Sequence, residues 1–217
     1  MENETKVWLW HLEQPEDGPS KRLLEWLPKN LKEHMLLFKK NDDQARFAAG
    51  RYLLFHALTE AGQPEAMQHL KTDEHGRYFI PGMPDFNISH SGNWVGLAWR
   101  PSAKVGLDIE FKRELDPSAF TKQFSPLEMQ AMLASPNPLE AFFKNWTRKE
   151  AVMKAEGRGM RIPLHSIRLA KHGARIDGDE RFWYYRPITI DEAHACHLCS
   201  DRPLDRVQVA ELNQTGP

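Results

Sequence analysis

The sequence is short of several things, and each shortage closes a possibility. It has no apolar run approaching the roughly 18 residues that a membrane-crossing helix needs, and its start, MENETK, lacks the basic-then-apolar pattern of a secretory signal. The expectation is a cytoplasmic protein with no membrane partner. Cysteine is nearly missing: Cys196 and Cys199 are the two present, too few for a disulfide scaffold. They stand in C-H-L-C beside His194, but no second ligand pair at suitable spacing completes a zinc site. Two structural thiols on opposite faces of a C-terminal strand are expected instead. A surplus of charge is also missing, since 29 basic residues meet 30 acidic ones. That balance gives no electrostatic case for nucleic acid as a partner, so an anionic ligand must be held by locally placed Lys, Arg and His. Nor is there a G-x-S-x-G nucleophile elbow, and Ser89 and His90, as strand neighbours, point apart.

What is there is ordinary for a soluble chain: 217 residues, 41% hydrophobic and 27% charged, enough for one core or two small ones. KVWLWHL (6–12) reads as an opening strand, followed by a turn-rich break at 14–20. Helices are predicted over roughly 20–38 and 42–61. Asp42 or Asp43 caps the second, Gly62 ends it, and Ala45, Ala48, Ala49, Tyr52, Leu53, His56 and Ala57 form its core stripe. Arg46 and Arg51 lie near its front, each by default a solvated charge. Residues 72–100 look strand-rich. Short helices are predicted within 115–135, with Pro117 and Pro126 in their first turns. A long helix is predicted over 137–159, with Phe142, Phe143, Trp146, Lys149, Glu150, Met153 and Lys154 on one broad face and Gly157 at its end. SIRLA, RFWYYRP, ACHLC and RVQVAEL then alternate as an antiparallel sheet would. Both halves combine helix and strands, which predicts an α+β architecture of two similar lobes, 1–102 and 103–217, with a ligand cleft between them.

The stretch that organises the chain is VGLDIE (105–110). Its period of two puts Asp108 and Glu110 on one strand face, with Cα atoms about 6.6 Å apart. Two anions at that spacing repel by about 2.5 kcal/mol at an effective dielectric of ~20, a penalty that a hard divalent cation would reverse. The plainer alternative is that both face water. Upstream lies FNISHSG (86–92), where His90 is either a hydrogen-bonded structural histidine or, with Arg77, a phosphate contact. Downstream lies NWTRKEAVMK (145–154), where Glu150 and Lys154 form either a simple surface pair or the wall of a cleft.

Taken together, FNISHSG, VGLDIE and NWTRKEAVMKAEGRGM resemble, in order and separation, the signature blocks of the surfactin-type 4′-phosphopantetheinyl transferases. The resemblance implies a holo-[acyl-carrier-protein] synthase activity. The phosphopantetheinyl arm of coenzyme A passes to a serine hydroxyl on an acyl or peptidyl carrier protein, and 3′,5′-ADP is released. It further implies Mg²⁺ held by Asp108, Glu110 and Glu150, with Glu150, or a metal-bound water, as base and Lys154 as a cation at the phosphoryl oxygens. Coenzyme A contacts are implied at Arg46, Arg77, Ser89, His90, Lys149 and Lys154. The fold implied is two lobes about a pseudo-twofold axis, each a mainly antiparallel sheet on a long helix, working as a monomer. Residues 111–135, with Phe111, Phe120, Phe124, Leu127, Met129 and Met132, are implied as the carrier-docking region, although most of these side chains also suit local packing. Thr147 and Met160 depart mildly from the family pattern. Two other functions compete: a non-catalytic sensor of coenzyme A or carrier proteins, and a Mg²⁺ phosphohydrolase acting on nucleotide pyrophosphates.

Overall fold

A computed structural model describes residues 4–212. Strand β1 (Thr5–His11) is followed by α1 (Lys21–Trp26), α2 (Lys29–Met35) and the long α3 (Asn41–Glu60). A small hairpin of β2 (Lys71–Thr72) and β3 (Tyr78–Phe79) precedes β4 (Asp85–Ser91), β5 (Trp94–Arg100) and β6 (Val105–Phe111). Then come α4 (Pro126–Leu133), α5 (Pro138–Glu156), β7 (Ile167–Leu169), β8 (Gly173–Ile176), β9 (Trp183–Pro187), β10 (His194–Ser200) and β11 (Val207–Glu211).

The strands form two main sheets, in the orders β11-β1-β5-β4 and β6-β10-β9-β8-β7. Helix α3 lies on the first and buries Ala48, Leu53 and Leu54 against Trp8, Trp10 and Phe86. Helix α5 lies on the second, with Ala151, Val152 and Ala155 against Trp183 and Cys199. A third apolar cluster, including Val7, Leu9 and Ala98 from the first sheet and Leu107, Ile109 and Leu198 from the second, joins the two. The α+β class therefore stands. Cys196 and Cys199 are buried free thiols on β10.

Several local expectations are corrected. The predicted helix over 20–38 is two helices, because Pro28 disfavours the α region for Leu27, which takes an extended conformation. Neither Asp42 nor Asp43 caps α3: the cap is Lys40, and both carboxylates turn instead to Arg46. The final strand leaves its half of the chain. RVQVAEL supplies β11, which pairs parallel with β1 in the first sheet, so the division at 102/103 does not hold for residues 207–211.

Candidate active site

The site begins at a seam. Strands β4 and β6 are edges of different sheets, and they meet through side chains in place of a backbone ladder. Asp85 Oδ2, Asn87 Oδ1, Ser89 Oγ and Ser91 Oγ accept the backbone N–H groups of Val105, Leu107, Ile109 and Phe111 at 2.8, 2.9, 3.0 and 2.9 Å. Both strands use their period of two. The short polar side chains at alternate β4 positions reach across, satisfy an otherwise open sheet edge and bring the two halves together. Arg77 closes one end of the seam. Its guanidinium donates to Asp85 Oδ2 at 2.7 Å, to the carbonyls of Phe86 and Val105 at 3.1 and 2.8 Å, and to the Lys154 carbonyl.

Gly106 then sets how closely α5 approaches. A Cβ at this position would lie 2.1 Å from the Ala151 carbonyl oxygen and 2.5 Å from Ala155 N, so only a residue without a side chain lets the helix rest on β6. The result places Lys154 Nζ 2.6 Å from Asp108 Oδ1 and 2.9 Å from Ser89 Oγ. Asp108 is 3% exposed, and its Oδ2 has no partner. Burial, with Glu110 and Glu150 adding repulsion, raises its carboxyl to about 7 despite the Lys154 ammonium. Glu150 is raised for the same reasons, burial first and then Glu110. Burial works against the Lys154 charge, but Asp108, Glu150 and Glu110 outweigh it and hold Lys154 above its ordinary range. Glu110 Oε2 accepts from Ser91 Oγ at 3.3 Å. Asp108 thus pairs with the Lys154 ammonium, while Glu110 and Glu150 act on it through charge alone.

A cavity of about 360 Å³ opens beside this cluster, lined by Lys154, His90, Arg46, Arg51 and Tyr78 among others. Arg46 donates to Asp42, Asp43 and the Gly92 carbonyl at 2.6, 2.8 and 3.0 Å. Burial opposes its charge and the two acids more than restore it. His90 reaches solvent. Crowding by the pocket walls, then the charges of Arg46 and Lys154, draws its imidazole down to about 4, leaving the ring neutral at pH 7.

Arg51, for which the sequence favoured a solvated charge, is buried instead. It is 4% exposed, its Nε has no partner, and among the described residues no carboxylate pairs with it. Its guanidinium lies 4.5 Å from the Phe47 ring centre and 3.9 Å from that of Tyr78, and desolvation lowers its pKa. A buried cation without a counter-ion is costly, and this one lines the cavity. The signal was legible: Phe47, Arg51, Leu54 and Leu58 share one row of α3, so a cation stands in an apolar stripe.

Other expected ligand residues are placed differently. Lys149 is fully buried on the far side of α5, where its ammonium meets Glu128 at 2.8 Å and the Leu164 carbonyl at 3.0 Å. With its donors engaged there, Lys149 does not line the cavity. Ser89 is buried and holds Ile109 N and Lys154 rather than facing a ligand. Arg77 borders the cavity, but four acceptors occupy its guanidinium, so it secures the wall.

Among the described residues no three acidic, histidine or cysteine side chains already converge as a preformed metal cage. The unpartnered Asp108 Oδ2 and the neighbouring Glu110 and Glu150 oxygens nonetheless fit a hard cation, because Mg²⁺ commonly takes one or two carboxylates and completes its shell with water and substrate phosphate.

An α+β fold thus sets an acid-rich seam beside a cavity lined by Arg46, Arg51 and Lys154, cations suited to an anionic ligand. The profile described as "4'-phosphopantetheinyl transferase superfamily" matches residues 104–199. The chain is 26% identical over 209 residues to the 4'-phosphopantetheinyl transferase Sfp of Bacillus subtilis, covering 91% of this chain and 93% of that one. It is 30% identical over 171 residues to 4'-phosphopantetheinyl transferase psf-1 of Bacillus pumilus, covering 74% and 73%. A putative 4'-phosphopantetheinyl transferase of Haemophilus influenzae is 35% identical over 134 residues, covering 58% and 57%. The chain belongs to the 4′-phosphopantetheinyl transferases of Sfp type.

Proposed function

We propose that the protein transfers the 4′-phosphopantetheinyl group of coenzyme A to a serine hydroxyl of an acyl or peptidyl carrier protein, releases 3′,5′-ADP, and depends on Mg²⁺ held by Asp108, Glu110 and Glu150. The observation that carries this reading is the seam cluster: a buried carboxylate with an unpartnered oxygen, two further acids and Lys154, next to a cavity walled by Arg46, Arg51 and His90. A non-catalytic sensor has no use for such a costly group of acids.

In this reading the cavity takes the nucleotide end of coenzyme A, with Arg51, Arg46 and His90 facing its phosphates, and the pyrophosphate lies toward Lys154. A bound Mg²⁺ would supply Lewis-acid neutralisation of the phosphoryl oxygens. Glu150, whose carboxyl burial and then Glu110 push above its ordinary range, takes the serine proton. The serine oxygen bonds to the β-phosphorus as the bridging P–O bond to the nucleotide breaks, and Lys154 neutralises charge gathering on the departing 3′,5′-ADP.

Two lobes related by a pseudo-twofold, working as a monomer, complete the reading; α3 on one sheet and α5 on the other support it. The 111–135 segment, where Phe111, Leu127 and Leu133 are exposed while Phe124, Met129 and Met132 pack inward, is the proposed carrier face. Intact-mass analysis of apo-carrier protein incubated with the protein, coenzyme A and Mg²⁺ tests the whole. One added phosphopantetheinyl group supports it, whereas release of 3′,5′-ADP with no carrier present points to the hydrolase.

A further inference from the structure

The seam is closed at its other end by a group that the proposed chemistry does not use. His194 begins β10, its side chain is 6% exposed, and Asp191 Oδ1 lies 2.8 Å from its Nδ1. Asp191 is itself anchored: its Oδ2 accepts from Trp94 Nε1 at 2.8 Å and its Oδ1 from Ala193 N at 2.8 Å. The other ring nitrogen, Nε2, is buried without a hydrogen-bond partner. It is pressed against Gly92, where a Cβ would come within 2.8 Å of it. Gly92 takes a left-handed conformation, with φ +55°, and is the residue whose carbonyl accepts from Arg46. It also follows His90 and Ser91, and Ser91 bonds both Phe111 N and Glu110.

We propose that His194, held by Asp191, is a positioning residue: from the second sheet it seats the turn after His90 and so sets Arg46 and His90 for the ligand. The inference rests on the reading that this cavity takes coenzyme A. A ring edge with an unsatisfied nitrogen, wedged against a glycine that leaves room for nothing else, fixes that turn more tightly than an aliphatic filler would, because the Asp191 bond fixes the ring's orientation. The turn belongs to one half of the molecule and the wedge to the other, so the two halves must stay in register for the anion contacts to form.

The test is equilibrium titration of coenzyme A without metal, together with separate KM values for coenzyme A and carrier protein. His194→Ala should weaken coenzyme A binding and raise its KM by about tenfold, with kcat and the carrier KM within about twofold of wild type. His194→Asn, which keeps a donor for Asp191 but withdraws the ring edge from Gly92, should lose nearly as much. Gly92→Ala should weaken binding, and should weaken it less in the His194→Ala background, where the colliding nitrogen is gone. Wild-type affinity in His194→Asn, strictly additive effects, or equal losses in both KM values would overturn the proposal. Failure of the wild-type protein to bind coenzyme A would instead overturn the reading of the cavity.

Discussion

Lys149 and Lys154 stand five residues apart on helix α5, and each makes one short ion pair: Lys149 with Glu128 at 2.8 Å and Lys154 with Asp108 at 2.6 Å. The pairs differ in what surrounds them. Around Lys149 everything is closed. Glu128 caps α4 through Ser125, the Leu164 carbonyl takes another ammonium proton, and Phe124 lies under the charge. Burial depresses Lys149, Glu128 restores part of the charge, and Glu128 is held below its ordinary range. Around Lys154 the site stays open: Asp108 keeps an unpartnered oxygen, and burial, with repulsion from Glu110 and Glu150, raises the Asp108 carboxyl to about 7. An ion pair whose donors and acceptors are all used holds a fold together; one with acid to spare marks a site.

The sharpest way to break this comparison is to neutralise each lysine. Lys149→Met should cost about 3–5 kcal/mol of stability, as removal of one partner from a buried pair does. Denaturant unfolding would show it, and a loss under about 1 kcal/mol would mean that the closed pair is not structural. Lys154→Met should lower kcat for carrier modification by about 10²–10³-fold, while stability at pH 6 changes little, because Asp108 can take a proton there. Equal losses of stability for the two variants would erase the distinction. On the ligand side, Arg51→Met should weaken coenzyme A about tenfold, measured by calorimetric titration, and should not weaken folding, since it removes a buried charge that lacks a counter-ion.

The pH dependence sharpens the same contrast. The folded pKa of Asp108 is raised from 3.8 to about 7, so the folded state binds the proton more tightly than the unfolded chain. Its contribution to stability is favourable at low pH and is lost as pH climbs between those values. A cation that needs the ionised form must compete with that proton, so its affinity falls as pH drops below about 7. Thermal stabilisation by Mg²⁺ with coenzyme A should therefore grow from pH 6 to pH 8, and should be flat in Asp108→Asn.

Much of this was legible because it is local. The alternation in VGLDIE and FNISHS specified β6 and β4, and Gly157 marked the end of α5. Glu150 and Lys154, four apart, fell on one side of the helix, facing Asp108. What escaped depended on partners far away in sequence. Lys149 looked like a member of the cleft face until Glu128 and Leu164 were found behind it. Arg77 read as a free cation because the carbonyls that absorb it come from α5, β4 and β6. The side-chain ladder between Asp85–Ser91 and Val105–Phe111 has no local signature beyond polar residues at alternate positions. The parallel pairing of β11 with β1 has none at all.

The most direct measurement is titration of Mn²⁺, as a spectroscopic substitute for Mg²⁺, into the coenzyme A complex of the wild-type protein and of Asp108→Asn, followed by electron paramagnetic resonance at pH 6, 7 and 8. Saturable binding that tightens with pH in the wild type and disappears in the variant is the predicted result. Undiminished binding by Asp108→Asn, or affinity indifferent to pH, would contradict the assignment of the open ion pair as the metal and reaction centre.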